Sequence, residues 1–313
     1  MFGLRAAKRE NGWMAVVPVR DRIDLAHVVR REGARPEIRL LESFRVEPDV
    51  PASLQRLRTA KHLDRYACTT LLAAGQYHLA QIETPPVPAA ERADALRWRF
   101  KDMVDFPVEG ASIGVLDIPL EGAGSSRQPM VYAVAASAAT VGSMMQTYGT
   151  AKLSLDAIDI PELAQRNVAA LFETENRGLA FLHLDEAGGL LTITYRGELY
   201  AVRKIEVSAA QLADADADRR AQLLERVMLE LQRTLDNFDR QYSFISVAGL
   251  LVAACPAVPE LQAYLADNLY VPIQLMDLAN ACDFPSLPEL RDTARQAQCL
   301  HAIGAALRTP GAA

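Results

Sequence analysis

The sequence has 313 residues, half of them hydrophobic and 23% charged. That suffices for one large domain or two modest ones and excludes a disordered or collagen-like chain. Lys and Arg number 33 against 39 Asp and Glu, a net charge of −6, which excludes nucleic acid as the main partner because phosphate neutralisation needs a concentrated basic face. No apolar run reaches the ~20 residues of a membrane-spanning helix; the longest, 247–258, is interrupted at Pro256. The N-terminus, charged at Arg5, Lys8, Arg9 and Glu10, lacks the apolar stretch of a signal peptide. Cys68, Cys255, Cys282 and Cys299 form no C-x-x-C pair and fit buried thiols of a reducing compartment. A cytoplasmic chain without a membrane span is expected.

In chain order, the periodicity predicts strands over 13–19, 23–31 and 37–46, then a helix capped at Ser53 and running to Leu63. Strands over 67–74 and 78–83 follow. The second half predicts strands over 178–184, 190–195 and 199–207, with a turn at Tyr195–Glu198. A long helix over 219–238 comes next, with Leu223, Leu224, Val227, Leu231 and Leu235 on one stripe. Then come a strand over 243–253, a helix over 256–268, a strand over 271–275 and a closing helix over 287–307. The first half repeats this series once an insert, about 84–128, is removed; the insert holds a helix over 89–104 and a strand over 112–118. The core resumes with a strand over 130–137, a helix over 138–148, a strand over 155–160 and a helix over 161–172. Two copies of one αβ unit, 1–172 and 173–313, imply mixed sheets covered by helices.

Local motifs add little catalytic chemistry. Gly122-Ala123-Gly124-Ser125-Ser126 precedes a predicted strand rather than a helix, so it reads as a turn and not as a phosphate loop. No G-x-x-x-x-G-K-[ST] and no G-x-S-x-G occur. Cys255, before Pro256 at a strand end, reads as a structural thiol. His183 and Asp185 make half a metal site with no third ligand apparent, so a strand-end pair is expected and no metal. The inserted helix stands out. Trp98 and Phe100 lie ~200° apart around it, so one bulky aromatic must leave the narrow apolar stripe, either into a second packing face or into an interaction patch.

The duplicated strand-strand-strand-helix-strand-helix-strand-helix unit resembles the actin-like, ribonuclease-H-like superfamily. Three segments narrow the resemblance to its PilM branch, and within that to the MshI-like proteins of mannose-sensitive haemagglutinin (MSHA) type IV pili. They are Pro85 to Pro119, with Asp105-Phe106-Pro107-Val108 ending the helix; Val131 to Ser137 with its following helix; and His301-Ala302-Ile303-Gly304-Ala305-Ala306-Leu307-Arg308. The resemblance implies two actin-like lobes with an α+β subdomain inserted in the first. It also implies three nucleotide motifs. Where the first phosphate loop should carry glycine, this chain has Pro18-Val19-Arg20-Asp21-Arg22, and the adenosine-side turn has Ala253-Ala254-Cys255-Pro256. Only Asp185-Glu186-Ala187-Gly188-Gly189 keeps the pattern, with Asp185 suited to water-mediated Mg²⁺ and Gly188 and Gly189 to phosphate. Arg20 and Arg22 offer side-chain phosphate contacts instead. No cofactor and no ATP hydrolysis are expected; ATP with Mg²⁺, in an active actin-like ATPase, is the alternative.

As the resemblance implies, such proteins dock on the cytosolic tail of a bitopic inner-membrane pilus protein and help join the membrane platform to the assembly ATPase. The expected docking residues are Trp98, Phe100, Met103 and Phe106 with the acidic Asp102, Asp105 and Glu109. A second alternative, the cytoplasmic domain of a type II secretion L-protein, shares the fold.

Overall fold

The computed structural model describes residues 9–119 and 128–309; the turn expected over Gly122–Ser126 lies outside them. The first half runs β1 (Trp13–Val19), β2 (Arg22–Val29), β3 (Glu37–Arg45), α1 (Val50–Lys61) and β4 (Ala67–Leu71). It continues through β5 (His78–Glu83), α2 (Arg92–Arg97), β6 (Ser112–Ile118) and β7 (Met130–Ala136) to α3 (Ala138–Thr150), β8 (Ala157–Asp159) and α4 (Pro161–Ala169). The second half runs β9 (Gly178–Leu184), β10 (Gly189–Tyr195), β11 (Glu198–Ile205), α5 (Ala209–Asp214), α6 (Ala217–Gln241), β12 (Val247–Val252), α7 (Leu261–Asn268), β13 (Ile273–Leu275), α8 (Thr293–Gln298) and α9 (Leu300–Ala306).

Two five-stranded sheets have one strand order, β3-β2-β1-β4-β8 and β11-β10-β9-β12-β13. In each, the first three strands are antiparallel neighbours and the last two join in parallel. The duplication read from the sequence is therefore a duplication of sheets. Every residue of β9 and β10 is buried, the continuous burial of strands covered on both faces.

The helix α4 packs on β9, β10 and β11, while α9 packs on β1, β2 and β4, so each half lends its last helix to the other's sheet. Gln165 makes the α4 contact specific, its Nε2 donating to the carbonyls of Phe181 (2.9 Å) and Leu190 (3.1 Å). Where α4 and α9 meet, a Cβ on Gly304 would stand 2.1 Å from the Ala164 carbonyl oxygen, so only glycine fits. The core around this crossing joins Val28, Leu41, Phe181, Leu251, Ile303 and Leu307.

The chain forms two compact units, one of 1–46, 65–71 and 156–313 with both large sheets, the other of 47–64 and 72–155. This division follows packing, whereas the expected boundary at 172/173 follows the duplication. In the smaller unit α1 and α3 pack together, and an antiparallel sheet β5-β7-β6 carries α2. Its core is Ile82, Leu96, Phe100, Val108, Val131, Ala133 and Ala135.

Several expectations are corrected. The strands at 78–83 and 130–137, read as core strands of the first half, pair with each other instead, and the second of them also with the inserted strand, so the insertion spans the whole passage from β4 to α3. Asp49, not Ser53, caps α1, accepting from Ala52 N at 2.8 Å; Ser53 is buried and its Oγ bonds Glu47 on both backbone groups. The closing helix is three pieces, a 3₁₀ turn at Pro288–Arg291, then α8 and α9, because Asp292 caps a fresh helix through Ala294 N. The short α5, which is additional to the predicted elements, opens on a Ser208/Gln211 capping box.

Candidate functional site

The two turns expected to face a nucleotide are the tips of the β1–β2 and β9–β10 hairpins. At the first, Arg20 adopts a left-handed conformation (φ 53°). Its guanidinium bridges to the second tip, pairing with Glu186 Oε2 at 2.9 Å and donating to the Glu186 carbonyl at 3.1 Å. Arg22 points down the hairpin. Its Nε donates to both oxygens of buried Asp24 at 3.1 Å, and its Nη2 to the Gln298 carbonyl at 3.3 Å. Ser43 Oγ also donates to Asp24 and receives Arg295 Nη1 at 2.9 Å.

At the second tip, Asp185 Oδ1 accepts from Ala187 N at 2.7 Å and Gly188 N at 3.0 Å, closing an Asx turn. A phosphate would have to displace that carboxylate to use the same amides. The glycines answer to local packing. A Cβ on Gly189 would lie 2.7 Å from Leu184 Cδ2 and 2.9 Å from Ile205 Cβ, and one on Gly188 3.2 Å from the Ile205 carbonyl. The adenosine-side turn places Ala253 and Cys255 in the interior, and burial pushes the Cys255 thiol up.

Beneath the second tip the structure supplies the third ligand-type residue missing from the sequence reading. His301, near the start of α9, meets His183 ring to ring at 5.0 Å, and one ligand atom from each of His183, Asp185 and His301 lies within 4.8 Å of the other two. His183 Nδ1 and His301 Nε2 are buried without a hydrogen-bond partner, a desolvation cost of about 1–3 kcal/mol each. Burial pushes the His183 ring down, against the Asp185 carboxylate and a hydrogen bond to the Ala297 backbone. Burial first, then the neighbouring His183, pushes His301 down to about 4. No sequence signal joins His301 to the pair, since the contact depends on where α9 docks.

The insert separates its expected docking residues. Trp98 and Met103 are 59% and 47% exposed, whereas Phe100 is fully buried. Phe100 is thus a core residue of the small unit and not a docking one, its ring edge-on to His78 at 6.0 Å. Phe106 is half-buried against the same core. Asp102, Asp105 and Glu109 are exposed, alongside Arg99 and Lys101. The helix expected over 89–104 is broken into a 3₁₀ turn, α2 and a second 3₁₀ turn at Trp98–Phe100. Arg97 shapes the following loop by donating to the carbonyls of Val108 and Ala111. In the same unit an open groove of about 570 Å³ runs beside α1, lined by Glu47, Pro48, Gln55, Arg56 and Thr59.

Among solved structures, one of a PilM–PilN type IV pilus biogenesis complex matches with a TM-score of 0.72 and 20% identity, covering 95% of this chain and 98% of that one. A Bacteroides thetaiotaomicron protein with an actin-like ATPase fold and unknown function matches at 0.50 and 10% identity, covering 95% and 98%. The fold is actin-like. The cytoplasmic domain of EpsL, from the type II secretion system of Vibrio cholerae, matches at 0.46 and 13%, covering 92% and 94%. No known protein-family pattern matches the sequence, and no curated protein matches it. Likeness at these identities carries the fold; function rests on the sites. Among the described residues no helix is long and apolar enough to cross a membrane.

Proposed function

We propose that this chain is a PilM-like scaffold of type IV pilus biogenesis, of the MSHA type, which binds the cytosolic tail of a bitopic inner-membrane pilus protein and helps connect it to the assembly ATPase. The observation that carries the reading is the end-to-end likeness to a chain of the PilM–PilN complex, at a TM-score of 0.72. In this reading the protein is cytoplasmic and reaches the inner membrane through its partner. It neither holds nor hydrolyses ATP: Arg20 and Glu186 tie the two tips together, and Asp185 occupies the turn amides a phosphate would use.

The tail seats on the insert, where exposed Trp98 and Met103 supply apolar contact and Asp102, Asp105 and Glu109 guide a basic peptide. The test is calorimetric titration of the full chain with a synthetic pilus-protein tail. Micromolar affinity, roughly −8 kcal/mol, is expected, with a loss of about 2 kcal/mol in Trp98→Ala. Affinity unchanged in Trp98→Ala but lost in Arg56→Glu moves the seat to the groove beside α1. No binding of any such tail sinks the reading.

A further inference from the structure

Three side chains of unlike origin converge under the second hairpin tip. His183 comes from the end of β9, Asp185 from the turn that follows, and His301 from the start of α9. The carboxylate is oriented before any ligand arrives, because its Oδ1 is fixed by Ala187 N and Gly188 N. His183 is buried, and its Nδ1 has no hydrogen-bond partner. His301 Nε2 is the second buried nitrogen without a partner. Two orphaned imidazole nitrogens beside a carboxylate make the donor set of a metal centre.

We propose that His183, His301 and Asp185 bind one divalent transition-metal ion of the zinc class. Two imidazoles with one carboxylate suit zinc, cobalt, nickel or ferrous iron, whereas Mg²⁺ and Ca²⁺ take oxygen ligands. Bonds of about 2.0–2.2 Å put ligand atoms about 3–4 Å apart, so the 4.8 Å spread closes by about an ångström on loading. Three protein ligands leave a coordination position for water. The ion would clamp the start of α9 to the β9–β10 turn, a role separate from partner docking on the insert and independent of it.

The test uses the full, tag-free chain stripped with chelator and titrated with Co²⁺ by visible absorption and with Zn²⁺ by calorimetry. One equivalent is expected, with ligand-field bands of nitrogen and oxygen ligation and no displacement by millimolar Mg²⁺. Asp185→Asn keeps the Oδ1 acceptor for the turn amides and removes the carboxylate; His301→Gln removes one imidazole. Each should weaken binding by more than the ~10- to 100-fold that losing an outer-shell partner costs. Circular dichroism of the metal-free variants checks folding; should His301→Gln not fold, Asp185→Asn decides. Absence of saturable binding, thiolate charge-transfer bands, displacement by Mg²⁺, or wild-type affinity in either folded variant overturns the proposal.

Discussion

The β1–β2 and β9–β10 turns hold one place in two copies of the same sheet, yet they are secured by opposite devices. The first stands on side chains: Arg22, Asp24, Ser43 and Arg295 form a chain of charge-assisted hydrogen bonds below it. The second stands on its own backbone, with Asp185 turned onto the amides and two glycines laid against Ile205. Strand burial preserves the order of a duplicated fold, and it leaves the turns free to change chemistry. Turn amides committed to the protein's own carboxylate are withdrawn from a phosphate.

That contrast can be broken by substitution. Asp24→Ala leaves the largely buried Arg22 uncompensated and should cost about 3–5 kcal/mol in urea unfolding; a loss under about 1 kcal/mol would remove the side-chain network as the first tip's support. Beneath the second tip, burial and then the neighbouring His183 push His301 of the metal-free chain down to about 4 when folded, against about 6.5 when unfolded. The unfolded chain then binds more protons between these values, so stability is complete above pH 6.5 and falls as pH drops towards 4, by on the order of 3 kcal/mol. Denaturation midpoints at pH 7, 5.5 and 4.5 should show a steeper decline in the native protein than in His301→Gln. Gly189→Ala should cost about 1–3 kcal/mol by overpacking against Leu184 and Ile205; an unchanged midpoint would return that glycine to ligand duty.

Arg20→Ala should matter least to stability, under about 1 kcal/mol, because both partners of its ion pair are more than half exposed. Its effect should shrink further in high salt. Smallest of all is the expected response to Mg·ATP, no shift in Tm at millimolar concentration. A ligand at 100 times its Kd adds about 2.7 kcal/mol, so a clear rise in Tm would restore the ATPase alternative.

What the sequence made legible followed from burial. Leu223, Leu224, Val227, Leu231 and Leu235 announce α6 because one stripe of it is buried, and β6 occupies the span its alternation predicts. Assignment of strands to sheets was not legible: Val131, Ala133 and Ala135 are equally apolar whether they join the first large sheet or the small one. The spacing of Trp98 and Phe100 foretold two faces, but not that Phe100 would take the inner one, a choice set by β5 and β7 arriving beneath it. His301 was out of reach for a related reason, since only the docking of α9 brings it to His183.

Gly304 has a mechanical consequence. With its Cα set against the Ala164 carbonyl, the α4–α9 crossing is closer than a side chain at that position would permit. Any side chain larger than hydrogen at that position would push α4 and α9 apart, and with them the sheets that each covers.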